Sequence, residues 1–363
     1  MSYCNAPWKR KFIEASGDEY PCCQYDRTLP YDSKIVKSLM LQSEKVPGCH
    51  KCDTQEKGGE RSLRKYYNSL YGKVYNENIT DVEIALDNIC NLKCLTCFSR
   101  ASHKIFEREK RIFGATASPT KLLQNRNYLS INWSNVRNLH IYGGEPFYST
   151  ALKDLIEHIK QFVDLNNLHV SASTNATLLP NDDVFIFLKN TKSVYLNLSI
   201  DAYGDLNDFI RDGCKWEEIE KNLHKWHDII LLHPHIKICV FSTISIYNAN
   251  RYYILKKYIS QNFPRFEINF QNLQFPEWQC IANTPESFKD LLKRSSNTEE
   301  KILNFLEIKQ KDYFEEFVYF TYNTKGIDVL KQVNPELYNF MKNYKIKDCT
   351  GFFRNKINEY KSD

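Results

Sequence analysis

Three cysteines lie within eight positions of this sequence, in the segment CNLKCLTCFSR that begins at residue 90. They are Cys90, Cys94 and Cys97. Four thiolates would complete the tetrahedral coordination of a zinc ion, and two would be half of such a site. Three thiolates on a cubane iron-sulfur cluster leave one iron without a protein ligand, and that iron is open to a small molecule. A structural zinc site with a distant fourth ligand, or unrelated buried thiols, would also fit this spacing.

The composition of the chain indicates the cellular compartment in which these thiols act. The chain has 363 residues, 42% of them hydrophobic and 26% charged, as in ordinary soluble proteins. Its first residues, MSYCNAPWKRKF, lack an apolar segment, and no later run approaches the length of a membrane span. We therefore expect a cytoplasmic protein without membrane association, whose twelve cysteines are reduced and, where clustered, bind metal. The net charge of +5, with no block of one sign, argues against a nucleic-acid partner.

Six short apolar segments predict the strands that position the three thiols. They are rich in β-branched and aromatic residues and cover residues 82–87, 138–142, 168–174, 194–200, 236–245 and 266–272. Segments with helical periodicity separate them, such as 151–163 and 181–190. This alternation predicts an α/β fold with a parallel sheet, a partial (β/α)6 TIM-like barrel. In such a barrel the chemistry gathers at the C-terminal ends of the strands, and Cys90 follows the first one.

The two ends of the chain differ from this pattern and predict two further units. Residues 1–79 carry five cysteines and several turn-forming residues, which predicts a small Cys-rich module stabilised by metal. Residues 80–272 would form the barrel. Residues 273–363 have mostly helical periodicity and predict a helical C-terminal extension.

A second motif follows the second predicted strand, where the sequence has Gly143, Gly144, Glu145 and Pro146. Two glycines allow a ligand to approach the backbone closely, and a carboxylate accepts hydrogen bonds from an ammonium group. A C-x3-C-x2-C segment after the first strand and a GGEP-type turn after the second together resemble the signature of the radical S-adenosylmethionine (radical SAM) enzymes. The resemblance covers residues 82 to about 272.

The resemblance implies cofactors and site residues. The three cysteines Cys90, Cys94 and Cys97 would hold a 4Fe-4S cluster whose open iron is chelated by S-adenosyl-L-methionine. Side chains after the later strands would contact the ribose, carboxylate and adenosine of that cofactor, and they are Asn175, Ser199, Asp201, Arg211 and Asn248. Purely structural roles also fit these residues. Asn and Ser at strand ends usually form caps and turns, and Asp201 could be a helix N-cap.

The resemblance also implies the chemistry. A radical SAM enzyme of the oxidoreductase or maturase type reductively cleaves S-adenosylmethionine to a 5'-deoxyadenosyl radical, which abstracts hydrogen from a substrate. Its partners would be a reductant such as flavodoxin or ferredoxin and a peptide or protein side chain, because related enzymes with auxiliary clusters commonly modify ribosomally made peptides. A small metabolite or cofactor precursor is the alternative substrate, and RNA a lesser one. A non-catalytic iron-sulfur electron-transfer protein is the least favoured interpretation, because all three cysteines and Glu145 are present.

A second set of cysteines precedes the predicted barrel. Cys4, Gly17 and Cys22 have the spacing C-x12-G-x4-C, and a C-x2-C pair follows at Cys49 and Cys52. This arrangement resembles the beginning of the SPASM and twitch modules, auxiliary iron-sulfur domains that usually follow the barrel. The resemblance implies one auxiliary 4Fe-4S cluster bound by four thiolates, from Cys4, Cys22, Cys49 and Cys52, with Cys23 as the substitute for Cys22. Four cysteines at these spacings describe a tetrahedral zinc site equally well.

Overall fold

One eight-stranded sheet forms the centre of the molecule, as seen in a computed structural model that describes residues 3–57, 61–113, 122–295, 297–308 and 311–361. The order of its strands is β2-β1-β3-β4-β5-β6-β7-β8. Their bounds are β1 Arg10–Ile13, β2 Glu19–Tyr20, β3 Asp81–Ala85, β4 Asn138–Tyr142, β5 His169–Thr174, β6 Ser193–Ser199, β7 Ile236–Ile244 and β8 Glu267–Asn272. All neighbouring strands are parallel except the antiparallel pair of β1 and β2. Because β2 and β8 are the two edges, the barrel is partial and not closed.

The six strands predicted from sequence are β3 to β8, so the predicted α/β class and partial barrel are confirmed. The predicted helices at 151–163 and 181–190 are also present. The second of them begins where the sequence indicates, because the Asn181 side chain accepts a hydrogen bond of 3.0 Å from the Val184 backbone N–H and caps the helix.

Sixteen α-helices surround the sheet in the described part of the chain. Their bounds are α1 Ala6–Lys9, α2 Ser33–Leu41, α3 His50–Lys57, α4 Leu63–Tyr71, α5 Phe106–Phe113, α6 Ala151–Ile159, α7 Asp182–Lys189, α8 Asp205–Ile210, α9 Trp216–Leu232, α10 Tyr252–Asn262, α11 Glu286–Arg294, α12 Glu300–Leu306, α13 Phe314–Thr324, α14 Leu330–Val333, α15 Pro335–Met341 and α16 Thr350–Lys361. The last six lie within residues 273–363, and the division of that segment as a separate extension stays a prediction. Within the described ranges, none of these helices is both long and apolar enough to cross a bilayer.

The N-terminal segment contributes two strands that sequence analysis did not predict. β1 pairs in parallel with β3, with Arg10 opposite Asp81 and Ile13 opposite Ile84. The four residues RKFI are too few to show a strand periodicity, and their pairing partner lies some seventy positions away. Part of the predicted N-terminal module is therefore continuous with the barrel sheet, and its boundary at residue 79 stays a prediction.

The two faces of the sheet differ in polarity. Side chains such as Ile84, Ile141 and Leu196 are buried and apolar, because they pack under the surrounding helices. The alternate positions point to the barrel interior, which we call the inner face. They are polar and half-buried, and one row in register is formed by Glu83, His140, Ser171 and Tyr195. A polar inner face is unusual for a parallel sheet, whose strands normally have apolar residues on both faces.

Candidate active site

The three clustered cysteines lie on the irregular segment that follows β3, at the C-terminal end of the sheet. Cys90 is buried, and Cys94 and Cys97 are half-buried. Burial raises the pKa of the Cys94 thiol to about 11. It also raises the pKa of the Cys97 thiol to about 12, with further increments from Cys94 and Cys90. The three thiols are therefore close enough to influence each other, and holding all three as thiolates requires a positive centre among them.

The Gly143-Gly144-Glu145 turn packs directly against the start of this cysteine segment. The Gly144 N–H donates to the Asp87 carbonyl at 3.1 Å, and the Glu145 N–H donates to the Ile89 carbonyl at 2.8 Å. A Cβ atom on Gly144 would lie closer than 3.0 Å to the Ile89 carbonyl oxygen. The two glycines predicted a close approach of a ligand to the backbone. At Gly144 the backbone of residues 87–89 makes the close approach instead, and this contact positions the residues just before Cys90.

The Glu145 carboxylate links the end of β4 to the end of β5. It is 1% exposed and accepts hydrogen bonds from the Thr174 hydroxyl at 2.6 Å, the Asn175 N–H at 2.6 Å and the Phe147 N–H at 3.1 Å. Burial raises the pKa of Glu145, and these donors oppose that effect. A carboxylate has about four lone-pair positions, so one acceptor position is left for an ammonium group.

An ion pair between Asp201 and Arg211 lies beside the cysteine segment. The Arg211 Nε atom is 2.9 Å from Asp201 Oδ2, and Asp201 Oδ1 accepts from the Thr243 N–H at 2.8 Å. Burial of Arg211 acts against its charged form, but Asp201 and Cys94 outweigh that effect and raise the pKa of Arg211. Asp201 precedes α8 by several residues and is not its N-cap, which is Gly204. The pair instead places a guanidinium near the Cys94 thiol.

The other predicted contact residues are gathered at the same end of the sheet. Asn175 donates to the Asn91 side chain at 2.8 Å and lies 4.0 Å from the Cys90 sulfur. Ser199 is the last residue of β6 and is half-buried.

Asn248 is fully buried and already fully bonded. Its amide donates to the Asp201 carbonyl at 2.7 Å and the Thr243 carbonyl at 3.0 Å, and its oxygen accepts from the Ser245 N–H at 2.7 Å. A contact between Asn248 and adenosine would have to replace one of these bonds.

Comparison with known proteins identifies the central part of the chain. The description of the family that matches is Radical SAM superfamily, and the match covers residues 85–233. This segment is similar to radical SAM domains. It contains the cysteine segment, the GGEP turn and the Asp201–Arg211 pair.

Solved structures with bound cofactor match part of this chain at low similarity. One is a polyhistidine-tagged form of anSMEcpe with bound AdoMet, at 16% identity and a TM-score of 0.39, with 54% of this chain and 51% of that chain covered. Another is Streptococcus suis SuiB bound to S-adenosylmethionine, at 16% identity and a TM-score of 0.38, with 72% of this chain and 58% of that chain covered. The chain thus spans about half of the length of the first. No curated protein is similar enough to this chain to match it.

The donor set of residues 85–233 fits an iron-sulfur cluster with one open iron. Three thiols lie on one segment, and the Leu92 N–H donates to the Cys90 sulfur at 3.4 Å, a type of bond that tunes such clusters. Among the described residues, no group of three or more His, Cys, Asp or Glu side chains is already arranged around a metal position. Binding would therefore draw the three sulfurs together.

The N-terminal cysteines form a second cluster of thiols. Cys4, Cys22, Cys49 and Cys52 line one small cavity together with Arg64, and Cys23 is not among the residues that line it. Burial, with a smaller contribution from the thiols of Cys49 and Cys52, raises the pKa of Cys4 to about 12. All twelve cysteines of the chain are free thiols.

This second cluster is at the opposite end of the sheet from Cys90. Cys22 follows β2, which runs antiparallel to β1, and it lies beside Arg10 at the N-terminal end of β1. Cys90 follows the C-terminal end of β3, which is parallel to β1. At about 3.3 Å per residue, the length of β1 alone separates the two sites by roughly 13 Å.

Sequence analysis missed Arg108 of α5, which donates to the carbonyls of Lys93, Cys94 and Cys97. An arginine in an amphipathic helix ordinarily predicts a solvent-exposed side chain. No local pattern could have indicated that this one turns toward the cysteine segment.

Proposed function

We propose that this protein is a radical SAM enzyme that binds a 4Fe-4S cluster through Cys90, Cys94 and Cys97. The observation that carries the proposal is the convergence, at one end of the barrel, of three thiols with the buried Glu145 carboxylate and the Asp201–Arg211 ion pair. When bound, the cluster and S-adenosylmethionine supply a 5'-deoxyadenosyl radical that abstracts hydrogen from the substrate.

The protein's own groups would orient that cofactor. One acceptor position on Glu145 suits the amino group of S-adenosylmethionine, and the guanidinium of Arg211 suits its carboxylate. Asn175 and Ser199 lie at neighbouring strand ends, where they would contact the ribose. The turn at Gly143, Gly144 and Pro146 would fix the distance between Glu145 and the cysteine segment, through the bonds to the Asp87 and Ile89 carbonyls.

The test is formation of 5'-deoxyadenosine. Protein reconstituted anaerobically with iron and sulfide, then given dithionite and S-adenosylmethionine, should form this product slowly without substrate. Cys94→Ala should abolish the product, whereas Cys349→Ala, which changes a thiol in the C-terminal extension, should not. Undiminished product in Cys94→Ala would mean that the cluster is bound elsewhere.

We further propose that the substrate is a peptide or protein side chain, because of the composition of the inner face. Uncharged hydrogen-bonding groups such as Asn197, Asn269 and Gln271 are half-buried or exposed there. Among the described residues of this face, the cations are Arg10, which pairs with Glu83, and Lys237, which is exposed near the start of β7. Among the described residues of the inner face, a phosphorylated metabolite would find no guanidinium other than that of Arg10, which pairs with Glu83, whereas peptide amides and polar side chains would find matching partners.

A comparison of substrate pools tests this choice. A defined pool of synthetic peptides should raise the rate of 5'-deoxyadenosine formation above the substrate-free rate, and Asn197→Leu should reduce that stimulation. A pool of nucleotides and sugar phosphates serves as the control. Stimulation by the phosphate pool alone would favour the small-metabolite alternative.

We also propose that Cys4, Cys22, Cys49 and Cys52 form a twitch-like auxiliary site for a 4Fe-4S cluster, with zinc as the alternative occupant. The shared cavity supports this set and favours Cys22 over Cys23. Because the site is at the opposite end of the sheet, its role would be electron passage or stability of the N-terminal segment. Protein lacking Cys90, Cys94 and Cys97 should still contain four iron atoms per chain. Zinc without iron in that variant would exclude the cluster.

A further inference from the structure

The guanidinium of Arg108 is bonded to the backbone of the cysteine segment at three points. Its Nη1 donates to the Lys93 carbonyl at 2.8 Å, and its Nη2 donates to the carbonyls of Cys94 at 2.9 Å and Cys97 at 3.0 Å. One planar, rigid group thus spans the turn between two of the three thiols. A guanidinium is suited to this task because its five donors have a fixed geometry.

Arg108 is half-buried, and its charge is not neutralised in the way that the charges of the buried arginines are. Arg64 pairs with Asp53 and Glu56, and Arg211 pairs with Asp201. No carboxylate among the described residues is within ion-pair distance of Arg108, and its Nε is buried without a hydrogen-bond partner among them. A buried cation without a counter-charge is costly. The negative groups that act on it through space are the thiolates that Cys97 and Cys94 would supply to a cluster and the Glu109 carboxylate, which accepts a hydrogen bond from the Ser99 N–H at 2.9 Å.

Packing keeps this cation in place. The face of the Phe320 ring, from α13 of the C-terminal extension, lies 5.7 Å from the Arg108 guanidinium carbon. Arg111, one turn further along α5, donates to the Asn323 carbonyl of the same helix at 3.1 Å. The C-terminal extension therefore holds α5, and through it Arg108, against the cysteine segment.

We propose that Arg108 is a positioning residue that shapes the Cys94–Cys97 turn for cluster binding and holds a fixed positive charge beside the cluster. The proposal rests on the proposed function, in which these thiols bind a 4Fe-4S cluster. When the cluster accepts one electron from an added reductant, its net charge becomes more negative by one. A nearby fixed cation stabilises that reduced form, and so raises the reduction potential of the cluster.

The experiment is a redox titration of the reconstituted holoenzyme with dithionite, followed by the paramagnetic signal that changes when S-adenosylmethionine is added. At the midpoint potential of the wild type, Arg108→Gln should have a ratio of reduced to oxidised cluster at least tenfold lower, which corresponds to a fall of about 59 mV. Arg108→Lys keeps the charge but loses the planar fork. It should keep a potential near that of the wild type and bind less iron.

Lys110→Gln is the matched control, because it removes an exposed cation from the same helix. It should have the iron content and potential of the wild type. Arg108→Gln that folds like this control but binds no iron would support the positioning role. A potential and iron content equal to those of the control would overturn the proposal, as would an equal fall in potential for Arg108→Lys and Arg108→Gln. Absence of the cofactor-sensitive signal from the wild type would instead reject the proposed function.

Discussion

The contact between Gly144 and the cysteine segment gives a prediction with a calculable size. In Gly144→Ala, the new methyl group would lie closer than 3.0 Å to both the carbonyl oxygen and the carbonyl carbon of Ile89. Both are backbone atoms, so no flexible side chain can move away. Overpacking of this kind costs about 1–3 kcal/mol. If the two backbone hydrogen bonds to the Asp87 and Ile89 carbonyls also break, each adds about 0.5–1.5 kcal/mol.

Gly144→Ala should therefore lower the free energy of unfolding by about 1–6 kcal/mol, with the upper part of this range reached if both bonds break, and that is a large part of the stability of an ordinary domain. Denaturant unfolding of the metal-free protein measures this change. The same variant should bind less iron on reconstitution, because its Cys90 is displaced.

Gly351→Ala is the matched control for this substitution. Gly351 is exposed in α16, and a Cβ atom there would meet nothing within 4 Å. Its unfolding free energy should be unchanged or higher by up to about 1 kcal/mol, because alanine favours a helix over glycine. Equal unfolding free energies for Gly144→Ala and Gly351→Ala would refute the role given to the glycine turn.

Three further predictions concern stability. Burial and the charge of Arg10 lower the pKa of His140 to about 4, so the unfolded state binds more protons at this residue between pH 4 and 6.5, and the contribution of His140 to stability should fall as the pH falls through that range. His140→Gln should remove part of this pH dependence, whereas a change at the exposed His224 should not. Asn181→Ala should cost about 1 kcal/mol of unfolding free energy by removing the cap of α7, and Asn181→Ser should restore most of it. Asn248→Ala should lower the free energy of unfolding by about 2–4 kcal/mol, since it leaves buried backbone groups unpaired. A change near zero would show that the hydrogen bonds of Asn248 to Asp201, Thr243 and Ser245 do not stabilise the fold.

Local patterns were sufficient for the barrel. A strand such as β5 has alternating burial, and each of β3 to β8 is a short apolar run between helical segments. Helix α7 begins with an Asn that can cap it, and that signal is contained in a few neighbouring residues. These features depend on side-chain chemistry at short sequence separation, so periodicity and capping rules identify them.

Sequence analysis predicted which residues belong to the candidate site, but it did not predict most of the contacts between them. The order of the cysteine segment and the GGEP turn indicated that they share one end of the sheet. It did not indicate that the turn bonds to residues 87–89 or that three protein donors occupy Glu145. Those contacts join separate strands, and their geometry depends on how the strand ends meet.

The sequence by itself determined the six strands β3 to β8, their order along the chain and the spacing of the thiols, because each is a property of a continuous stretch of residues. Only the tertiary structure decided that β1 joins the sheet beside β3, that the N-terminal thiols lie at the opposite end from Cys90, and that Arg108 turns onto the cysteine segment. The physical reason is that strand pairing and buried charge depend on partners far away in sequence. Which partners meet depends on the packing of the whole chain, and a short stretch of sequence does not indicate it.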